Sequence, residues 1–376
     1  MSCVIQAPSV TEGLNVGTNA IVEGARRNVS VTLGLIGPGR VGGALIGQLS
    51  HACTTPHRRP PLGLFGIASR SIMRLADHDI LVEECLESTP TNLDAFVTHL
   101  SAVATGPIVI ADCTASDEVA GRYADWLSSG IHIVTPNKFA GSGPLERWCA
   151  IQRARAAGAH HRYEATVGAG LPVINTLRDL IDTGDKLIAI EGMLSGTIAW
   201  LLNRYDGTMP FSELVREAYN KGLTEPDPAD DLSGMDVARK LVILAREAGV
   251  GLSLSDVSVA PVVPMPVAKL APDAYFAYLS EFDCDMQSRF QHALSQGKTL
   301  RYVANLNANG NASVRLEEMR ADHPFSKTGL TDNVARFCTS RYDSNPLHVQ
   351  GPGAGAEVTA AAVFADILRV IRELGG

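Results

Sequence analysis

Val31-Thr32-Leu33-Gly34-Leu35-Ile36-Gly37-Pro38-Gly39-Arg40-Val41-Gly42 is the stretch that decides the fold. Its first six residues form an apolar run of strand length, the run breaks at Gly37-Pro38-Gly39, and Val41 to Leu49 then follows at helical spacing. Gly37, Gly39 and Gly42 thus make a GxGxxG between a strand and a helix, where backbone amides and the helix N-terminus can hold a pyrophosphate. A tight turn with no ligand is the plainer use of such glycines. The strand-turn-helix setting favours the dinucleotide site.

Outward from that turn the theme repeats. Leu62 to Ala68 reads as a second buried strand, and Ile108 to Ala111 and Ile131 to Val134 as further ones, with a helix expected from Asp117 to Ser129. Short apolar strands alternating with helical segments indicate βαβ units and a parallel sheet covered on both faces, a doubly wound α/β sheet of the Rossmann type. From about residue 160 the texture changes. A longer strand, Lys186 to Leu194, and helical stretches near 197–205, 211–221 and 233–248 point to an inserted α+β substrate and dimerisation domain. Val358 to Leu374 reads as a helix returning to the first domain. The expected division is a loosely ordered leader over 1–29, a nucleotide-binding domain over 30–160 completed by 345–376, and a second domain over 161–344; a length of 376 residues suits two domains.

Composition excludes several classes. A net charge of -8 with no basic run longer than Arg26-Arg27 or Arg58-Arg59 leaves no footprint for nucleic acid and disfavours an anionic membrane surface. The seven cysteines are scattered, without CxxC or zinc spacing, as in a reducing compartment. With no basic n-region before an apolar core, and no run near the roughly 18 apolar residues a membrane span needs, cytoplasm is the expected location.

The strand ends carry the polar chemistry. Leu62 to Ala68 is followed by Ser69-Arg70-Ser71, without the carboxylate that would bind a ribose 2′-hydroxyl and repel a 2′-phosphate, so Ser69, Arg70 and Arg40 suit NADP, with NAD as the alternative. Asp112-Cys113-Thr114-Ala115-Ser116 and Thr135-Pro136-Asn137-Lys138 end the next two strands, the edge of an open α/β sheet where ligands gather. Asp112 and Thr114 also suit helix caps. Cys113 has no neighbour that would activate a thiol, and the histidines, His160-His161 included, lack metal-ligand spacing.

The densest chemistry is Gly222-Leu223-Thr224-Glu225-Pro226-Asp227-Pro228-Ala229-Asp230-Asp231-Leu232-Ser233-Gly234-Met235-Asp236-Val237-Ala238-Arg239-Lys240. Its acidic loop repels itself unless a cation offsets it, and an amino-acid ammonium would do so. Asp236 and Lys240, at i and i+4, share a helix face; a surface ion pair is the bland reading, and a lysine that moves a proton at a hydroxyl or carbonyl is the functional one.

This segment closely resembles the signature of homoserine dehydrogenases, especially the dehydrogenase half of bifunctional aspartokinase/homoserine dehydrogenases. Thr135-Pro136-Asn137-Lys138, Val167-Gly168-Ala169-Gly170-Leu171-Pro172, Ser195-Gly196-Thr197 and Gly353-Ala354-Gly355 resemble further landmarks of that family in the same order, so the likeness runs from about residue 31 to the end. The resemblance implies interconversion of L-homoserine and L-aspartate 4-semialdehyde, on the route to threonine, methionine and isoleucine, by a homodimer. It implies Lys240 as proton donor and acceptor, and Lys138 as a second essential lysine beside the nicotinamide. Glu225, Asp231, Asp236, Gly196 and Thr197 would bind substrate; Gly37, Gly39, Arg40, Val41, Gly42, Thr114, Lys138, Gly222 and Gly355 would line the cofactor. Glu164, with the carbonyls of Val167, Ala169 and Leu171, would surround a monovalent cation, Na⁺ or K⁺. Two departures stand out. Leu223 takes the place of a family tyrosine, and neither an aspartokinase domain before the match nor a regulatory domain after it is present, so feedback by threonine is not expected. An aspartate-semialdehyde dehydrogenase would need an activated cysteine, and a dinucleotide-binding regulator would not need the acidic loop with both lysines.

Overall fold

A computed structural model describes residues 31–55, 60–81 and 87–375. The expected leader over 1–29 and the Arg58-Arg59 pair lie outside the described residues.

The first unit runs β1 (Val31–Ile36), α1 (Arg40–Thr54), β2 (Leu62–Ala68), β3 (Ile72–Leu75), β4 (Thr89–Pro90), α2 (Leu93–Val103), β5 (Ile108–Asp112), α3 (Asp117–Gly121), α4 (Tyr123–Ser128), β6 (His132–Val134), α5 (Phe139–Ser142), α6 (Leu145–Ala156) and β7 (His161–Arg162). These strands form one sheet in the order β4-β3-β2-β1-β5-β6-β7. From β2 to β7 neighbours are parallel; β3 and β4 add an antiparallel edge that the repeating βαβ reading did not anticipate. Its cause is local. Ser69 closes a tight reversal, its amide bonding the Ile72 carbonyl at 2.8 Å, so β2 folds back before any helix can intervene.

Every residue of β1 is buried, as a central strand with helices on both faces must be. Val31, Leu33 and Leu35 pack on one face with Leu45 and Leu49 of α1, while Ile36 joins Phe96, Leu100, Tyr123 and Ile151 on the other. The expected single helix over Asp117 to Ser129 is instead two, broken at Arg122.

The second unit comprises α7 (Val173–Asp182), β8 (Leu187–Met193), α8 (Gly196–Arg204), α9 (Phe211–Asn220), α10 (Pro228–Leu232), α11 (Met235–Glu247), β9 (Val257–Val259), α12 (Pro272–Ser280), α13 (Asp283–Ser295), β10 (Lys298–Leu306), β11 (Ala312–Arg320), β12 (Asp332–Thr339) and β13 (Leu347–Pro352). Its six-stranded mixed sheet has the order β13-β12-β8-β10-β11-β9. One face packs on the helices through Ile190, Leu300, Tyr302, Ala335 and Phe337. Strand alternation turns Glu191, Arg315, Glu317 and Arg336 to the opposite face, where Arg336 pairs with Glu191 and Arg315 with Glu317. The last helix, α14 (Ala356–Glu373), returns to the first sheet and buries Ala360, Val363, Ile367 and Val370 beside α1. No helix among the described residues is long and apolar enough to cross a membrane.

Candidate active site

The glycine turn sits between β1 and α1, and β1 is flanked by β2 and β5, the point where the chain's order across the sheet reverses. Gly37 adopts φ +87°, and a Cβ there would stand 2.7 Å from Thr114 Cγ2. At Gly42 a Cβ would overlap the Gly37 carbonyl oxygen. Gly39 differs: nothing lies within 4 Å of a Cβ placed on it, and it caps α1 without a side-chain hydrogen bond. The amides of the first turn of α1 have no intrahelical partner, and beside them Gly39 leaves open space. Val41 is half-buried, and Arg40 and Arg70 are exposed. The Ser69 hydroxyl accepts the amides of Ser71 and Ile72 at 3.3 and 3.1 Å and donates to the Ile72 carbonyl, so it is spent on the turn, and Arg40 and Arg70 supply exposed basic groups there. A groove of about 1070 Å³ between α1 and α14 meets this turn only at Gly39 and Arg40 and holds none of the lysines or acids below.

Beyond β5 and β6 one buried carboxylate organises both loops. Asp112 accepts hydrogen bonds from the Tyr123 hydroxyl (2.5 Å), the Thr114 amide (2.8 Å) and Asn137 Nδ2 (2.9 Å). Burial pushes its carboxyl up, and these three donors oppose that. The cap of α3 is Ser116, which accepts the Val119 amide at 3.2 Å, rather than Asp112 or Thr114. Cys113 is pushed up to about 12 by burial, reinforced by Asp112, so it stays a thiol.

The acidic loop folds as expected only in part. Helix α11 begins at Met235, close to the expected start near Ser233, and its N-cap Gly234 turns left-handed (φ +75°), where a Cβ would strike the Tyr302 hydroxyl. Asp227 caps α10 and also pairs with Lys269 at 3.0 Å. Asp231 accepts the Glu225 amide at 2.8 Å; burial pushes it to about 6, helped by Glu225 and Asp236. Thr197, at the start of α8, donates to the Leu223 carbonyl at 2.8 Å, which ties α8 to this loop. Gly196 lies against the Thr331 carbonyl and Ala354, the residue before Gly355, so the start of α8 and the N-cap of α14 are neighbours. Gly222 ends α9 with φ +67° and open space around it.

At the centre, Asp236 stands between two lysines. Lys240 Nζ is 2.7 Å from Oδ2 and Lys138 Nζ is 3.4 Å from Oδ1, so residues from the two units meet on one carboxylate. Burial alone would raise that carboxyl, but the two ammonium groups override it and hold it well below the usual carboxylate range. Lys240 is 9% exposed and also donates to the Leu194 carbonyl at 2.7 Å. That second acceptor, just after β8, leaves no trace in the sequence.

Glu164 lies where the chain passes from the first unit to the second. Its oxygens accept the amides of Ile174 (2.7 Å) and Asn175 (2.9 Å), satisfying the start of α7, and Asp366 of α14 accepts its own amide at 3.0 Å. Burial pushes its carboxyl up to about 7. Nearby, Ala169 has φ +53°, the one non-glycine residue with positive φ among those described, and the Leu171 carbonyl accepts the Val173 amide at 2.9 Å.

A glycine turn at the switch point of a doubly wound sheet, with two lysines from the two units meeting on one carboxylate, defines a protein of the Rossmann dinucleotide-binding class. A model of the homoserine dehydrogenase family matches residues 172–368, and a model of that family's NAD binding domain matches residues 37–164. The chain is 38% identical to homoserine dehydrogenase of Schizosaccharomyces pombe over 93% of its own length and 97% of that protein's. It is 46% identical to the chloroplastic bifunctional aspartokinase/homoserine dehydrogenase 2 of Zea mays, of which it spans 39%. A crystal structure of a Candida auris protein described as of unknown function superposes with a TM-score of 0.83 at 37% identity, covering 92% of this chain and 99% of that one. The chain belongs to the homoserine dehydrogenase family.

Proposed function

We propose that the chain interconverts L-homoserine and L-aspartate 4-semialdehyde, with Lys240 as the proton donor and acceptor. The observation that carries this reading is the Lys138–Asp236–Lys240 cluster, in which one ionised carboxylate aligns two ammonium groups from the two units. A nicotinamide cofactor held at the glycine turn would supply or take the hydride at the carbon bearing oxygen. In reduction Lys240 donates a proton to the aldehyde oxygen; in oxidation it takes the proton back from the homoserine hydroxyl. Asp231, Asp236 and Glu225 hold the polar ends of the substrate, with Gly196 and Thr197 along its side. Gly37, Gly39, Val41, Gly42, Thr114, Gly222 and Gly355 line the dinucleotide.

NADP is the preferred cofactor in this reading. Its support is the absence of a carboxylate after β2 and the exposure of Arg40 and Arg70 on that rim. A monovalent cation at Glu164, with the carbonyls of Val167, Ala169 and Leu171, is supported by a buried carboxylate and by the left-handed backbone at Ala169. The reading also includes the domain division at about residues 160 and 345, a homodimer, and the cytoplasm, which suits thiols such as Cys149 and Cys284 that form no disulfide.

The test is the initial rate of homoserine oxidation, read by nicotinamide absorbance with NADP⁺ and then NAD⁺. Turnover that is faster with NADP⁺ and lost in a folded Lys240→Ala supports the reading. No turnover with either cofactor overturns it.

A further inference from the structure

The carboxylate of Asp112 makes no contact with the acidic loop or with Lys240, yet it is the most constrained acid near the site. It ends β5, is 0% exposed, accepts from Tyr123, Thr114 and Asn137, and meets no cationic side chain among the described residues. Removing a charge from water without a cation is costly, and a fold keeps such a group only where its acceptor capacity is needed. Its bonds show where. Oδ1 fixes the Thr114 amide on the β5 loop, and Oδ2 fixes Asn137 on the β6 loop. Asn137 in turn accepts the Phe139 amide at 3.0 Å and donates to the Ser116 carbonyl at 2.9 Å, so the residues on both sides of Lys138 are held. The Thr135 hydroxyl closes the ring, donating to the Asp112 carbonyl at 2.7 Å and accepting the Asn137 amide at 2.8 Å.

We propose that Asp112 is a positioning residue: its carboxylate locks the Thr114 and Lys138 loops in mutual register and so presets the rim of the nicotinamide pocket before cofactor arrives. This rests on the proposed function for the roles of Thr114 and Lys138. Tyr123 contributes differently. Its ring fills the helix-covered face of the sheet, and its hydroxyl meets Oδ2 at 2.5 Å and Thr135 Oγ1 at 3.0 Å, whereas Thr135 and Asp112 keep their bonds to Asn137 without it.

The chemistry of the isosteric variant makes the test sharp. In Asp112→Asn, one side-chain oxygen still accepts the Thr114 amide, but the new NH₂ faces Asn137 Nδ2, donor against donor, and the tie between the loops is lost. Three full-length variants are compared with wild type by NADPH fluorescence titration without substrate, by homoserine turnover, and by thermal melting. A displacement on the ångström scale at reacting groups lowers rate strongly, so Asp112→Asn and Asn137→Ala are each expected to weaken NADPH and lower kcat by about tenfold or more, with the KM for homoserine within about twofold because its groups sit on α8 to α11. Tyr123→Phe is expected to lower the melting temperature while NADPH affinity and kcat stay within about twofold.

If Asp112→Asn does not fold, Asn137→Ala carries the same comparison, since it cuts the same tie and leaves Asp112 held by Tyr123 and Thr114. Normal NADPH affinity in whichever of the two folds overturns the proposal, as does a Tyr123→Phe enzyme that loses affinity as much as they do. Because NADPH binding needs no homoserine, a wild type that binds NADPH but never turns over homoserine would remove the assigned reaction and still leave this positioning role decided.

Discussion

Lys240 and Asp236 are bound to each other at 2.7 Å one turn apart on α11, and the same ammonium donates to the Leu194 carbonyl of a different element. A surface pair at this spacing is worth under about 1 kcal/mol and swings freely. Here the second acceptor removes that freedom and fixes the ammonium between two elements.

It follows that Lys240→Ala should lower kcat by about 10²- to 10⁴-fold, the usual range for a positioned acid-base group, with NADPH affinity nearly unchanged. Lys240→Arg should not rescue it, because a guanidinium does not give up its proton near neutral pH. Single-turnover hydride transfer checks this; a Lys240→Arg enzyme within about tenfold of wild type would contradict the proton role.

Asp231 should set the acidic limb of the pH profile. Burial raises its carboxyl to about 6, whereas Asp236 is held ionised far below that by its lysines. An ammonium substrate needs the ionised form, so kcat/KM for homoserine should fall about tenfold per pH unit below about pH 6, and Asp231→Asn should abolish that limb along with most of the affinity. The stability effect has the opposite sense. The folded carboxyl binds its proton more tightly than the unfolded one near 3.8, so this group's contribution is full below about pH 4 and is lost as pH rises through about 6. Thermal melts across that window should show Asp231→Asn gaining on wild type at the upper end.

The two glycines of the turn should separate folding from binding. Gly39 has open space where a Cβ would go, while at Gly42 the Cβ overlaps the Gly37 carbonyl. Gly39→Ala should therefore keep the wild-type melting temperature and lose NADPH affinity by about tenfold or more, because a pyrophosphate must approach that backbone closely. Gly42→Ala should lose both. Calorimetry and fluorescence titration decide; equal melting temperatures for the two variants would refute the packing role of Gly42.

Much of this site was legible because its sequence patterns are local. The turn from Ile36 to Gly42 and the spacing of Asp236 and Lys240 each lie within one or two elements, and the periodicities of β1, β2 and the returning α14 set the sheet beneath them. What escaped was set by tertiary partners. The hub at Asp112 joins residues up to 25 positions apart, and Leu194 contributes a backbone atom that any residue would supply. The antiparallel edge at Ile72 follows from the bonding of one serine. The β10–β11 hairpin was missed although Asn309-Gly310 between two alternating runs is a recognisable turn, with Gly310 at φ +79°.

Glu164 offers the last test, of the cation. Its carboxylate is buried, caps α7 and is raised to about 7 from an ordinary 4.5, so wild-type stability from this group should be full below about pH 4.5 and decline as pH passes 7. A monovalent cation beside the ionised carboxylate would offset that loss, and it could do so only where the carboxylate is ionised. Added KCl or NaCl should then raise the melting temperature at pH 8 by several degrees more than at pH 5, while tetramethylammonium chloride at equal ionic strength should not. Glu164→Gln should lose this salt response at pH 8, and because a Gln oxygen can serve only one of the two α7 amides it should also melt lower than wild type at pH 5, where the protonated acid and the amide are nearest in character. An equal response to all three salts would mean simple screening and would remove the cation from Glu164.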